Sequence, residues 1–407
     1  MQVKPFRIYT NYLTKEVTAG MKNNIYLDHA ATTPIDQRVL DAMQPYWEHC
    51  FGNASSLHAY GTEAKEALEN SRAILSGYIG AQPDELVFTS GGTESNNFAL
   101  KGIAFANRWK GNHLIASSIE HDCILNTCKW LEEQGFYVTY LPVDRQGTVD
   151  LEFLEKAINP KTILVSVMHA NNEIGTIQPI DDIGEICHKR NVYFHCDACQ
   201  SFGKVPLNVK TSHIDLLTIN SHKIYGPKGI GTLYVKKGTR ITPLLHGGGQ
   251  EAGLRSTTEN IPAVKGFEKA ASICFNEINT ESRRLSALVN KLTDWLFENY
   301  ENVYLNGHET NRLPGYLNFS FHGMEGETIR LLLLLDELGI AVSAGSACSS
   351  NHGGSASHVL QAIGLDPFEA RGSIRVSMGR FTTEKEIDSF MKALNQCIPV
   401  LNTIFSH

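Results

Sequence analysis

Positive charge is in short supply. The 36 lysines and arginines face 43 aspartates and glutamates, for a formal net charge of -7. With no basic surplus to displace counterions from a phosphate backbone, nucleic-acid binding as the main task is excluded. Long apolar runs are missing as well. The longest, Leu331 to Leu335, falls far short of the ~20 residues of a membrane span, so no membrane role is expected. Cysteines are few for the length: nine, an odd number, scattered from Cys50 to Cys397. A disulfide scaffold would be short and cysteine-dense, so reduced thiols in a cytoplasmic protein are expected. Residues 1–20 hold Lys4, Arg7 and Lys15 but no continuous apolar core, which argues against a secretory signal. They read as an N-terminal extension, with Met21 as a second candidate start. Repeats and low-complexity tracts are also absent. What is abundant is apolar residues, 42% against 19% charged, which excludes a disordered or fibrous chain. At 407 residues the chain outgrows one compact core, so a large domain with a smaller partner is expected.

From about residue 60 to 235, short β-like runs alternate with helical stretches. The strand candidates are Glu85–Thr89, His113–Ser117, Thr162–His169, Val192–Asp197 and Leu216–Asn220. Apolar spacing of three to four residues predicts helices over Glu63–Gly77, Glu94–Asn107, His121–Gln134 and Ile180–Arg190. That alternation implies an α/β fold, a mostly parallel sheet covered by helices on both faces, with ligands at the carboxyl ends of the strands. A Gly/Pro-rich stretch, Gly226–Pro262, follows. An amphipathic pattern from about Ile261 to Glu298 then leads into a second body. There, strands are expected over Gly315–Phe321, Ala341–Ser343 and Ile374–Ser377, and helices over Glu325–Leu338 and Glu384–Asn395. The division places a large domain at 21–265 and a smaller one at 266–407.

Three segments carry chemistry. The apolar strand Asp215 to Ile219 ends in Asn220-Ser221-His222-Lys223, putting a lysine where ligands bind. A partly desolvated lysine there can form a Schiff base with an aldehyde; a solvated loop lysine is the other reading of this segment. Phe88 to Glu94 is a strand, a glycine turn and a helix start, with Gly92 and Thr93 at the turn. Bare amides at a helix N-terminus make an anion cup suited to phosphate, although an ordinary strand–helix turn also favours Gly and Thr. His195-Cys196-Asp197-Ala198-Cys199-Gln200 ends a third strand with a carboxylate that needs a partner, such as a protonated ring nitrogen. The Cys196/Cys199 pair has zinc or redox spacing but no second pair nearby, so no metal is expected. Phosphate cup, Schiff-base lysine and ring-nitrogen aspartate are what a protein supplies to pyridoxal 5'-phosphate.

Six segments taken together resemble a family. They are Tyr26 to Pro34, Met168 to Gly175, Ser221 to Gly229, Gly247-Gly248-Gly249-Gln250-Glu251, Ser346-Ala347-Cys348 and Ser373-Ile374-Arg375. In order and spacing they look like the signatures of cysteine desulfurases, the NifS/IscS branch of the class V, fold-type I pyridoxal-phosphate enzymes. The resemblance runs from about residue 24 to 390. It implies a large domain with a mostly parallel seven-stranded sheet between helices, and a smaller α+β domain carrying a catalytic cysteine loop.

Residue by residue, the resemblance implies that Lys223 holds the cofactor as a Schiff base and that His121 stacks on its ring. Asp197 pairs with the ring nitrogen and Gln200 touches the ring hydroxyl. Gly92, Thr93, Asn220 and His222 bind phosphate, joined by Thr258 from the other subunit of a homodimer. Asn172 and Arg375 hold the substrate, Arg375 as a clamp on its carboxylate. The family has Ser where this chain has Asn220, whose amide can still donate to phosphate. Cys348 lies in a run of small and polar residues, Ser343 to Ser355, that cannot bury itself and is expected to be mobile. A structural cysteine would instead sit among apolar neighbours. A thiol with its pKa near 8.5 is only a few per cent ionised at neutral pH, so a base is expected nearby, His121 or His352. The implied activity converts L-cysteine to L-alanine and leaves a persulfide on Cys348. The sulfur then passes to an acceptor for iron–sulfur cluster assembly or tRNA thiolation, with Cys348 as a candidate transient iron–sulfur ligand. A selenocysteine lyase, an aminotransferase and a non-catalytic binding protein are the alternatives.

Overall fold

The computed structural model describes residues 25–344 and 356–403. The extension 1–20, and Cys348 with its neighbours Ser346, Ala347 and His352, lie outside the described residues. The main sheet has seven strands in the order Leu86–Thr89, Gly231–Val235, Leu216–Asn220, Tyr193–Asp197, Thr162–Ser166, His113–Ser117, Tyr137–Leu141. Gly231–Val235 pairs antiparallel with both neighbours, and the remaining pairs are parallel. A strand buried on both faces sends alternate side chains to opposite sides. Leu217 and Ile219 accordingly join the core against the helices Ala59–Ile79 and Ile261–Asn299. Leu216, on the opposite face of the pleat, joins the core against Gly92–Ala106 and Asp122–Glu133. Among the described residues, no helix is long and apolar enough to cross a membrane.

Two of these strands escape the sequence reading. Tyr137–Leu141 is the outer strand and half exposed, so its apolar pattern is weak. Gly231–Val235 lies inside the glycine-rich stretch that reads as loop. The helix expected over Glu63–Gly77 is longer at both ends. The His58 side chain accepts the Gly61 N–H and starts it, and Gly80, at φ 76°, ends it in the left-handed conformation that favours glycine.

The second sheet is antiparallel, in the order Ser343–Ala344, Ser373–Ser377, Tyr316–Phe321, Val303–Leu305. The single strand expected over Ala341–Ser343 is instead two. Ile340–Ala341 pairs with Ile25–Tyr26, and beyond Val342 the chain switches sheets to form Ser343–Ala344. The long helix Ile261–Asn299 serves both bodies. Its first turns, Ile261 to Cys274, pack in the large core, and Leu288 to Leu296 pack against the second sheet.

Candidate functional site

Five of the parallel strands end on one side of the sheet, and the residues that follow them wall a cleft of about 290 Å³. Gly92, Thr93, His121, Asn172, Asp197, Gln200, Asn220, His222, Lys223 and Arg375 all line it. These come from turns after separate strands, except Arg375, which comes from the second sheet and is 2% exposed. Thr258 does not line this cleft. It sits in a neighbouring one of about 240 Å³ with Ser90, Gly229 and Arg255.

One end of the cleft is built for an anion. The helix Gly92–Ala106 starts at Gly91, which has no side chain to cap the first amides. A Cβ at Gly92 would stand 2.6 Å from Cys199 Sγ and 3.4 Å from Asn220 Nδ2, so only glycine leaves room for the approach. Asn220 Nδ2, beside Gly92, is the donor that this side chain offers an anion. Ser221 Oγ is buried against Gly226, so Asn220 is the side chain that faces the cup. His222 Nδ1 pairs with Thr32 Oγ1 at 3.1 Å. Burial, then the positive charges of Lys223, Lys228 and Lys204, press the His222 pKa down to about 4. Those cations make this end electropositive.

The cleft also holds a carboxylate. Asp197 Oδ2 accepts from Asn96 Nδ2 at 2.6 Å, and Oδ1 accepts from the Cys199 N–H at 2.8 Å. Asn96 was not foreseen; the available signal is an asparagine one turn into an otherwise apolar helix face. Across the cleft, His121 caps the helix Asp122–Glu133, its Nδ1 accepting from the Cys123 N–H at 3.2 Å. That bond leaves Nε2 to carry the proton, and burial holds the imidazole neutral. Buried Glu120 is pushed well above the carboxylate range, first by burial and then by Asp197. The thiols in the wall are also held protonated. Burial, then Asp197, drives Cys123 up to about 12, and the same two causes raise Cys199.

Lys223 Nζ donates to the carbonyls of Ala30 at 2.5 Å and Ala31 at 2.6 Å. Gln200 Nε2 donates to the same Ala30 oxygen at 3.0 Å. Arg375 Nη2 donates to Asp28 Oδ1 at 2.8 Å and Nη1 to the Asn172 carbonyl at 3.1 Å, while its buried Nε has no partner. The guanidinium is thus fixed in place with one donor unused beside the cleft. The segment carrying Cys348 is anchored at both ends near this point. Ser343 is paired in register with Arg375, and beyond the segment Ser357 Oγ donates to Glu173 Oε2 at 2.6 Å.

A phosphate cup, a lysine on the cleft wall, a buried carboxylate and an arginine with an unused donor fit a phosphorylated aromatic aldehyde and an amino acid. Residues 25–390 match the family model described as aminotransferase class-V. The chain is 48% identical to a cysteine desulfurase IscS of Dictyoglomus turgidum, over 94% of this chain and 97% of that one. Among solved structures it resembles a NifS-like protein, with a TM-score of 0.87 and 38% identity over 93% of this chain and all of that one. It also resembles SspA in complex with cysteine, with a TM-score of 0.78 and 39% identity over 88% of this chain and all of that one.

Proposed function

This chain belongs to the aminotransferase class-V family, and from that premise we propose that it is a pyridoxal-phosphate-dependent cysteine desulfurase. The observation that carries this reading is the meeting of Lys223, Asp197 and Arg375 in one cleft, with the ends of the Cys348 segment beside Arg375. When bound, pyridoxal phosphate supplies the electron sink. Gly92, Thr93, Asn220 and His222 hold its phosphate. Asp197 keeps a proton on the ring nitrogen, with Asn96 fixing the carboxylate, and His121 covers the ring. Arg375 and Asn172 orient the substrate carboxylate, and Lys223 Nζ carries a proton from and back to the substrate's carbon.

The thiol chemistry falls to Cys348. Cys123 and Cys199 line the cleft but are held as thiols, and the thiolate is the nucleophile. Cys348 lies four residues past Ala344, a reach of at most ~14 Å from a strand end whose partner Ile374 adjoins Arg375. Its thiolate attacks the substrate sulfur, and the carbon–sulfur bond breaks with the electron pair staying on carbon. That carbon then takes a proton, giving alanine and a persulfide on Cys348. We further propose a cytoplasmic homodimer in which Thr258 serves the partner's phosphate site, the division at residue 265, and delivery of the sulfur to an iron–sulfur scaffold or another acceptor protein.

Incubation with L-cysteine under reducing conditions should release sulfide and alanine in equal amounts, and Cys348→Ser should cut sulfide release by at least ~100-fold, since a serine hydroxyl is un-ionised at neutral pH. Desulfuration by Cys348→Ser at the wild-type rate would overturn the assignment. A keto acid as the product in place of alanine would mark an aminotransferase.

A further inference from the structure

Lys204 is a half-buried amine with no task so far. Its Nζ donates to Tyr316 Oη at 2.9 Å and stands 5.1 Å from the centre of that ring. Tyr316 is fully buried on the second sheet, and its hydroxyl donates in turn to Gln200 Oε1 at 2.6 Å. Gln200 then donates through Nε2 to the Ala30 carbonyl that also receives Lys223. The chain therefore runs from a half-buried ammonium, through a phenol from the other sheet, to an amide on the cleft wall.

Nothing negative balances that ammonium. Among the described residues no carboxylate is paired with Lys204, and burial lowers its pKa to about 8, so it is still charged at neutral pH. The enclosed cavity beside it contains one carboxylate, Glu281, which is held by Arg284 through bonds of 2.9 and 2.8 Å. Around Lys204, His29 and His222 are neutral by burial, as are the thiols of Cys199 and Cys274 and the phenol of Tyr225. Lys223 and Arg380 in the same cavity are cationic, Arg380 being matched by Asp36 and Glu277.

The direction of the chain fixes the Gln200 amide. A lysine only donates, so Tyr316 accepts from it and must send its own proton onward, and the Gln200 atom that receives it is the oxygen. The amide NH₂ is thereby turned to the Ala30 carbonyl and the cleft, with a second N–H left to offer. We propose that Lys204 and Tyr316 are positioning residues that lock Gln200 as a donor to the cofactor's ring hydroxyl oxygen and place an uncompensated positive charge behind it. This rests on the placement of Gln200 at that oxygen.

A cation and a fixed donor both favour the deprotonated form of the group they face. The test is a pH titration of the visible absorption of the cofactor-loaded enzyme without substrate, with the apparent affinity of apoprotein for pyridoxal phosphate as a second readout. Lys204→Met, which keeps the bulk but not the charge, should move the titration midpoint up by about one pH unit, a tenfold change in proton affinity. Tyr316→Phe should move it the same way by roughly half as much, and Lys204→Arg should restore the wild-type midpoint. Both variants should bind the cofactor more weakly. The proposal is overturned if Lys204→Met and Tyr316→Phe titrate with the wild type while Gln200→Ala shifts. If Gln200→Ala itself leaves the absorption unmoved, the placement of Gln200 is what has failed. Should Lys204→Met not fold, Tyr316→Phe, which removes one hydroxyl, decides.

Discussion

Lys223 is held against the cleft wall by two backbone carbonyls, those of Ala30 and Ala31, and its removal leaves the anion cup standing. Lys223→Ala should therefore still take up pyridoxal phosphate while losing the visible band of the covalent form. Peptide mapping after borohydride reduction should place the pyridoxyl group of the wild type on Lys223, and finding it on another lysine would refute the assignment. This residue, Asp197 and the Gly92–Thr93 turn were legible in the sequence for one physical reason: each follows an apolar run that can only be a buried strand, so its position at the sheet's ligand edge comes with the pattern. Arg375 carries no such mark. Its strand, Ser373–Ser377, is short with only two apolar residues, and Arg375 stands at the cleft because the second sheet brings it there, where Asp28, 347 positions earlier, receives it. Asn96 and Tyr316 are less legible still, since a buried asparagine or phenol shows its meaning only through the partner it meets.

At the level of elements, the parallel strands of the sheet centre were read from sequence to within a residue, except Thr162–Ser166, which was read three residues too long, because burial on both faces writes a continuous apolar run. The outer strand Tyr137–Leu141 and the short helices Leu151–Ala157 and His358–Ala362 were not read, as partial exposure or brevity leaves too little periodicity, and the amphipathic helix Gln37–Glu48 was not read either. The central strands also set the site's rigidity. Leu217 is fully buried two residues before Ile219 in the strand that delivers Asn220 and, beyond it, Lys223. Leu217→Ala should cost about 2–5 kcal/mol by leaving a cavity that tightly packed neighbours cannot fill, measured as a lowered denaturant midpoint at unchanged slope. His195 on the adjoining strand shows how the same layer accepts polarity: its ring bridges Ser166 Oγ at 2.8 Å and Thr218 Oγ1 at 3.1 Å.

Over the whole molecule, buried histidines fix the response to acid. Burial lowers the pKa values of His29, His169 and His195 to about 4 from the ordinary 6.5. Each is neutral in the folded chain but takes up a proton in the unfolded chain as pH falls through 6.5. Their contribution is thus fully present above about pH 6.5, is lost as pH falls toward about 4, and changes no further below that. Denaturant melts through this window should lose stability as pH falls, with these three rings and His222 each adding up to one proton to the slope and buried Glu120 and Glu173 opposing them; a flat profile would mean that these rings are solvated. The two bodies share more than the long helix. The Ser377 N–H donates to the Leu27 carbonyl at 2.7 Å, and Ser377 Oγ accepts from the Ala30 N–H at 2.8 Å. The oxygens that receive Lys223 are thus held in place by a residue some 350 positions downstream. On a ribosome adding 5–20 residues each second, the early segment waits roughly 20–70 s for that partner to emerge. Until then a growing chain owns the cup and the lysine but not the serine that fixes the Ala30 amide beside them.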